Sequence, residues 1–173
     1  MIELLPYVRD VADFPKIGVL FKDITPLLAN AQALKVCIDA LAEPYRDARL
    51  DAICAIESRG FIFGAALARE LGVGFVPIRK PGKLPSRTIG ADYALEYGSD
   101  RLEVHADALA PGARVALVDD VIATGGTLLA ARALIAQLGA QLIAASVVIE
   151  LAFLDARAHW PAPVPLHALI RYS

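Results

Sequence analysis

Residues 115–127 read VALVDDVIATGGT and combine three patterns that few folds accommodate together. The first four residues are apolar, which is typical of a strand buried on both faces of a parallel sheet. Asp119 and Asp120 follow at the predicted carboxyl end of that strand, where open α/β sheets bind ligands. Gly125 and Gly126 then allow a tight loop whose backbone N–H groups face one anion at the start of a helix. The segment therefore predicts a phosphate site with two carboxylates beside it.

The same letters allow a plainer interpretation. A Gly-Gly pair after a strand is often only a turn, an Asp-Asp pair is often only a polar strand end, and Thr127 is a suitable helix N-cap. Two better-known phosphate loops, G-x-x-x-x-G-K-[ST] and G-x-G-x-x-G, follow no predicted strand in the sequence. An NTPase or a dinucleotide-binding protein therefore has little support.

Strand and helix patterns alternate along the whole chain. Helical patterns cover residues 2–11, 31–42, 60–71 and 127–138, and strand patterns cover residues 52–56, 74–78, 115–118, 142–149 and 166–170. This order predicts an α/β fold in which a central, mainly parallel sheet is flanked by helices. Weaker alternation on either side of Gly98 predicts a hairpin or flap. Because no linker or repeat interrupts the pattern, we expect a single domain over residues 1–173.

Composition excludes several classes of protein. Although 57% of the 173 residues are hydrophobic, the apolar runs are far shorter than the roughly 20 residues that span a bilayer. The amino terminus lacks the pattern of a signal peptide, so we expect a cytoplasmic protein without a membrane segment. The net charge of −2 argues against general nucleic-acid binding. Cys37 and Cys54 are expected to be small buried hydrophobic residues rather than a disulfide or metal pair.

Basic residues occur in two places that suit a second anion. Arg59 follows a predicted strand in IESRGFIFG, where its guanidinium offers a planar fork of donors to phosphate oxygens. Arg79 and Lys83 lie in RKPGKLP, which Pro81 and Gly82 make a loop at the end of another predicted strand. A charge run of this kind is often only a solvated surface. Its position at the ligand-binding edge of the sheet favours a pyrophosphate site instead.

The amino-terminal stretch FPKIGVLFKDITPLL is apolar yet broken by two prolines and a glycine, so it cannot be one regular element. We expect a hood, over about residues 1–30, that caps the sheet. Phe21 is able to stack on a flat heterocycle, and the backbone groups of Leu20 and Lys22 to read its hydrogen-bonding edge. The alternative is that Phe21 is an ordinary core aromatic.

Five segments then carry a resemblance that spans nearly the whole chain. FPKIGVLFKDITPLL, ESRGFIFG, RKPGKLP, YALEYG and VDDVIATGGT resemble, in this order, the branch of type I phosphoribosyltransferases that acts on adenine. The resemblance implies transfer of the 5-phosphoribosyl group from phosphoribosyl pyrophosphate to adenine, giving AMP and pyrophosphate in purine salvage. It also implies a homodimer with no nucleic-acid partner, and Mg²⁺ that arrives with phosphoribosyl pyrophosphate rather than on fixed protein ligands.

The resemblance also assigns roles to particular residues. It places the 5′-phosphate on Ala123, Thr124, Gly125, Gly126 and Thr127, the ribose and magnesium beside Asp119 and Asp120, the pyrophosphate on Arg59, Arg79 and Lys83, and adenine on Leu20, Phe21 and Lys22. Glu96 is implied as the catalytic proton carrier, and Tyr97 as part of the loop that closes over the site. Lys22 departs from the arginine common in the family, and Val121-Ile122 departs from Leu-Leu. Because the base contacts at Lys22 are expected mainly from backbone, we expect little change.

Two alternatives stay open from the sequence. One is a phosphoribosyltransferase for another base, such as hypoxanthine, xanthine or orotate. The other is a non-catalytic regulator that keeps this fold as a ligand sensor and binds nucleic acid. The second predicts an added DNA-binding domain or a strongly basic face, and the sequence contains neither.

Overall fold

The computed structural model describes residues 3–94 and 99–173. They fall into two compact units, one ending at Ala40 and the other covering Leu41–Ser173. The single domain expected over residues 1–173 stays a prediction. None of the helices within the described residues has the length and hydrophobicity that a membrane span requires.

The first unit is built on a short antiparallel hairpin. A 3₁₀ helix at Leu5–Tyr7 precedes strand β1 (Arg9–Ala12), which pairs with β2 (Leu20–Asp23). Helix α1 (Thr25–Ala29) follows, and then α2 (Ala31–Ala42), whose last two residues belong to the second unit. As the prolines and glycine predict, residues 14–28 form no single regular element.

The helix predicted over residues 2–11 is wrong. Pro6 lies in the first turn of the 3₁₀ helix, and the chain becomes a strand at Arg9. Cross-strand ion pairs favour the strand, because Arg9 bonds Asp23 and Lys22 bonds Asp10 directly across the hairpin. Pairing between strands thus overrides a helical periodicity read from one short segment.

The second unit contains the predicted central sheet. Its five strands are parallel to their neighbours and lie in the order β4-β3-β7-β8-β9. Their bounds are Ala52–Ile56 for β3, Gly74–Ile78 for β4, Arg114–Ile122 for β7, Gln141–Leu151 for β8 and Leu166–Tyr172 for β9. Helices α3 (Gly60–Leu71) and α4 (Gly126–Gln137) follow β3 and β7 and pack against the sheet.

The core lies around the central strands. Every residue of β3 is buried, as is the run from Val115 to Val118, which confirms that these apolar runs are covered on both faces. Burying one such large aliphatic side chain stabilises the fold by about 1.5–3 kcal/mol. Cys37 on α2 and Cys54 on β3 are free thiols and are buried, as expected.

Strand β7 is longer than the sequence predicts. Its pairing with β8 continues past Val118 to the pair Ile122↔Glu150, so Asp119 and Asp120 lie inside the strand. The change from apolar to acidic residues at Asp119 suggests that the strand ends there. Hydrogen bonds to the long neighbouring strand β8 extend it further. The backbone of both acids is therefore held by the sheet.

The predicted hairpin is present as β5 (Thr88–Ala94) and β6 (Ser99–His105), which pair antiparallel and pack against α4. Residues 79–87 form the predicted loop before it, apart from one bridge between Arg79 and Glu103. A last short helix, α5 (Ala156–His159), lies between β8 and β9.

Candidate active site

A cleft of about 330 Å³ opens in the second unit at the carboxyl ends of β3 and β7. It brings together five of the residues that the sequence singles out, which are Arg59, Asp119, Asp120, Ala123 and Thr127. Parallel strands end at one edge of a sheet, and the segments that follow them therefore meet there.

Two aspartates form the buried, acidic wall of this cleft. Asp119 and Asp120 are 8% and 5% exposed, although both carry carboxylates. Asp119 Oδ1 accepts a hydrogen bond of 2.9 Å from the backbone N–H of Asp120. Arg59 Nε lies 2.7 Å from Asp120 Oδ2, which is buried and accepts no well-aligned hydrogen bond within the part of the chain that the structure describes. The Asp120 oxygen thus has acceptor capacity for a ligand hydroxyl.

The setting changes the acidity of both groups. Burial raises the pKa of Asp119 well above its ordinary value, and the neighbouring charge of Asp120 raises it further. Burial also raises the pKa of Asp120, although the Arg59 guanidinium opposes that shift. The ionised pair is therefore costly in the free protein, and donors or a cation brought by a ligand would stabilise it.

A second, smaller cavity lies beside the cleft. It has a volume of about 90 Å³ and is lined by Val121, Ile122, Ala123, Thr124, Gly125, Thr127 and Leu128. Gly125 is the N-cap of α4 with a φ of +88°, a conformation that favours glycine. The first N–H groups of α4 lack partners within the helix, so this end of the helix suits an anion.

A third group of residues surrounds Arg79 at the end of β4. Arg79 Nε donates a 2.6 Å hydrogen bond to Glu57, which lines the cleft, and Arg79 Nη1 donates a 3.0 Å bond to the carbonyl oxygen of Lys83. The guanidinium also lies over the ring of Phe61, 5.9 Å from its centre. Arg79 is therefore oriented, whereas the side chain of Lys83 is exposed.

The remaining sequence candidates belong to other parts of the chain. Leu20, Phe21 and Lys22 form part of β2 in the first unit. There Lys22 is 7% exposed and its Nζ bonds Asp10 at 2.7 Å, while the Phe21 ring meets Phe14 edge to face. Glu96 and Tyr97 lie outside the described residues.

Comparison with known proteins bears directly on this arrangement. The profile of the family described as phosphoribosyl transferase domain matches residues 23–163, which include the cleft and the small cavity beside it. This chain belongs to that family.

Close relatives of this phosphoribosyltransferase cover almost its whole length. A protein of Xanthomonas campestris pv. campestris (strain B100) named adenine phosphoribosyltransferase is 58% identical over 165 residues, which cover 95% of this chain and 89% of that protein. The crystal structure of adenine phosphoribosyltransferase from Rhodothermus marinus DSM 4252 has a TM-score of 0.94 and 46% identity, and the match covers 98% of this chain and 96% of that one. The Saccharomyces cerevisiae enzyme, crystallised with an imino-altritol bisphosphate and adenine, has a TM-score of 0.90 and 42% identity over 96% of both chains. The central parallel sheet with flanking helices is thus the type I phosphoribosyltransferase fold.

Among the cleft residues of the phosphoribosyltransferase that were not sequence candidates, three carry ionisable side chains. Glu57 anchors Arg79, and its place in ESRG beside Arg59 is the signal that could have identified it. Lys80 and Tyr93 line the cleft, where the Lys80 ammonium bonds both the Tyr93 hydroxyl and Asp100. Lys80 belongs to the basic cluster already noted, whereas no periodicity indicates Tyr93.

Proposed function

We infer that this phosphoribosyltransferase transfers the 5-phosphoribosyl group from phosphoribosyl pyrophosphate to adenine, giving AMP and pyrophosphate. The observation that carries the proposal is that two buried aspartates line a cleft next to a small cavity at the amino terminus of α4. A ribose 5-phosphate needs both features side by side, because its phosphate takes donors and its hydroxyls take acceptors. Relatives named for adenine specify the base.

The phosphate would bind at residues 123–127. Ala123, Gly125 and Gly126 bring backbone amides to it, and the hydroxyls of Thr124 and Thr127 add donors. The α4 macrodipole favours negative charge at this end. The small volume of the cavity, about 90 Å³, supports a compact group rather than a base.

The ribose would bind at Asp119 and Asp120 through its hydroxyls. Breaking the bond between C1 of the ribose and the pyrophosphate oxygen leaves positive charge on the sugar ring. Two carboxylates near the ring would stabilise that charge. Because their backbone is held by the pairing of β7 with β8, they would stay in place as the charge develops. The raised pKa values of both groups support a site that is completed by its ligand.

The leaving pyrophosphate would be held by Arg59, Arg79 and Lys83. Arg59 lines the cleft and touches Asp120, and Arg79 is hydrogen-bonded to Glu57, which lines the same cleft. These cations offset the negative charge that accumulates on the leaving group. Mg²⁺ would enter with phosphoribosyl pyrophosphate and supply further positive charge there. The buried carboxylates, costly without a compensating cation, fit such an arrangement.

Adenine would be recognised by β2. Because the Lys22 ammonium bonds Asp10, the backbone groups of β2 would form the hydrogen bonds to the edge of the base. Phe21 would provide an aromatic face. Glu96 would remove the proton that the attacking nitrogen loses when its bond to C1 forms, and Tyr97 would help to exclude water. A homodimer and a cytoplasmic location complete the proposal.

The test is pyrophosphate release with adenine and phosphoribosyl pyrophosphate, with and without Mg²⁺. We expect turnover that depends on magnesium and that Asp119→Ala nearly abolishes. Asp47→Ala, which alters an exposed carboxylate of the same unit, is the matched control and should keep the wild-type rate. Equal rates for wild type and Asp119→Ala would refute the role of that carboxylate.

A panel of bases tests the choice of substrate. Adenine should be converted, whereas hypoxanthine, xanthine and orotate should not. Preferred turnover of one of those three would replace the proposed substrate. Absence of turnover with every base would favour a ligand sensor.

A further inference from the structure

A buried carboxylate lies on the strand next to a residue that lines the small cavity. Glu150, near the end of β8, pairs in register with Ile122, the last residue of β7, and its side chain is 3% exposed. Residue 123, where the cavity-forming loop begins, follows Ile122 immediately. A carboxylate buried to this extent needs a charged or hydrogen-bonding partner, because it has lost its water.

Arg157 supplies that partner from the short helix α5. Its Nε and Nη2 each donate a 2.8 Å hydrogen bond to a different oxygen of Glu150, the two-point geometry that guanidinium and carboxylate groups favour. These bonds lower the pKa of Glu150, so the pair is ionised at neutral pH. Arg157 Nη1 also donates to the carbonyl oxygen of Leu166, at 2.9 Å. One side chain therefore ties α5 to β8 and to the start of β9.

The neighbour of Arg157 contacts the loop. Ala156 is buried, and a Cβ placed on Gly125 would lie only 3.3 Å from the Ala156 Cβ. Gly125 is the residue at which the loop turns into α4. Since α5 has only four residues, its position depends on such tertiary contacts rather than on its own helical stability.

We propose that Glu150 and Arg157 are positioning residues for the 5′-phosphate site, because their ion pair holds Ala156 against the back of Gly125. The backbone amides of the loop face the phosphate only if the turn at Gly125 keeps its position. Packing of Ala156 against Gly125 prevents the turn from moving away from the phosphate. A buried ion pair adds less stability than an apolar pair of similar volume, but it fixes one relative position of the groups it joins. The inference rests on the proposed function for the identity of the anion.

The variants are chosen so that folding and positioning separate. Glu150→Gln combined with Arg157→Gln removes both charges at once and leaves no lone buried charge. Arg171→Gln is the matched control: Arg171 Nε lies 3.7 Å from the same Glu150 carboxylate, but its strand does not carry Ala156. Thermal melting establishes that each variant is folded.

Calorimetric titration with ribose 5-phosphate and with pyrophosphate is the decisive measurement. We expect the double variant to bind ribose 5-phosphate about tenfold more weakly or worse, since small misplacements of a fixed site are costly. Its Kd for pyrophosphate should stay within about twofold, because that anion binds at separate residues. Arg171→Gln should bind both ligands as wild type does. An unchanged Kd for ribose 5-phosphate, an equal loss for both ligands, or the same loss in Arg171→Gln overturns the proposal.

If the double variant does not fold, Ala156→Gly provides the test. It keeps the ion pair and removes only the methyl group that faces Gly125, so we expect the Kd for ribose 5-phosphate to rise about threefold or more. An unchanged Kd overturns the proposal here too. Ribose 5-phosphate binding needs no turnover, so a wild-type protein that binds it but does not convert adenine would refute the proposed function alone.

Discussion

Gly60 and Asp119 approach so closely that position 60 has no room for a side chain. A Cβ there would lie 2.7 Å from Asp119 Oδ1 and 3.2 Å from the carbonyl oxygen of Val118. The amino terminus of α3 thus packs directly against β7 at Asp119, which explains how Arg59, the residue before the helix, reaches Asp120. The glycine of ESRG is required by packing at the site itself.

Gly60→Ala should therefore damage the site. The added methyl group must displace the Asp119 carboxylate or the start of α3, and we expect kcat/KM to fall about 100-fold. Steady-state kinetics with adenine and phosphoribosyl pyrophosphate measure the change. The control is Gly74→Ala, where a Cβ would meet its nearest neighbours at 3.4 Å and 3.6 Å, an ordinary contact. Full activity of Gly60→Ala would show that the carboxylate tolerates a shift.

Asp119→Asn should stabilise the ligand-free protein while it abolishes turnover. The pKa of Asp119 is raised in the folded state, so its contribution to stability is complete below the ordinary value of 3.8 and is lost as pH rises toward the folded-state value. An uncharged amide avoids this loss. A gain of about 1 kcal/mol at neutral pH would raise Tm by about 2–4 °C in a chain of this length.

Thermal melts of wild type and Asp119→Asn across the acidic and neutral range provide the measurement. The two curves should converge at low pH, where the wild-type carboxyl is protonated. A lower Tm for Asp119→Asn at neutral pH would contradict the assignment of a costly buried charge.

Glu96→Gln should lower kcat far more than it raises KM. Loss of a positioned general acid–base group costs roughly 100-fold to 10,000-fold in rate, while the neutral amide keeps the size and much of the hydrogen bonding of the carboxylate. Asp92→Asn, which alters an exposed carboxylate of β5, is the control. Near-normal turnover of Glu96→Gln would remove that residue from the proton role.

Comparing Gly125→Ala with Gly112→Ala distinguishes the effect of backbone strain from the effect of the contact with Ala156. The two glycines have φ values of +88° and +82°, so each alanine should cost roughly 1–2 kcal/mol of stability. Among the described residues other than its chain neighbours, none has an atom within 4 Å of a Cβ at Gly112, whereas Ala156 crowds one at Gly125. Only Gly125→Ala should lose affinity for ribose 5-phosphate, as measured by calorimetry. Equal affinities would mean that the turn adapts without loss.

The regular part of the fold is readable from the sequence because local and tertiary preferences agree there. The predicted bounds of α2, β3, α3 and β4 match the structure at both ends, since each pattern is bounded by a glycine, a charged residue or another turn signal. The amino terminus fails because β1 exists only through its pairing with β2. No local pattern carries that information.

The candidate site also contains residues that the sequence locates and residues that it does not. Arg59 and the loop at Gly125 occupy strand-to-helix junctions, and Asp119 lies near the end of β7. Sequence periodicity locates all three, and the parallel sheet then brings them to one edge. The roles of Glu57 and Ala156 depend on contacts with residues distant in the sequence. Glu57 bonds Arg79, and Ala156 packs against Gly125. Contacts between distant segments of this kind emerge only in three dimensions.

The two buried cysteines can serve as chemical probes of local unfolding. Burial raises the pKa of each thiol to about 12, so the reactive thiolate is scarce at neutral pH and alkylating reagents must wait for the chain to expose it. Cys37 belongs to the unit that ends at Ala40, and Cys54 belongs to Leu41–Ser173. Comparing their labelling rates asks whether the two units open together or one at a time.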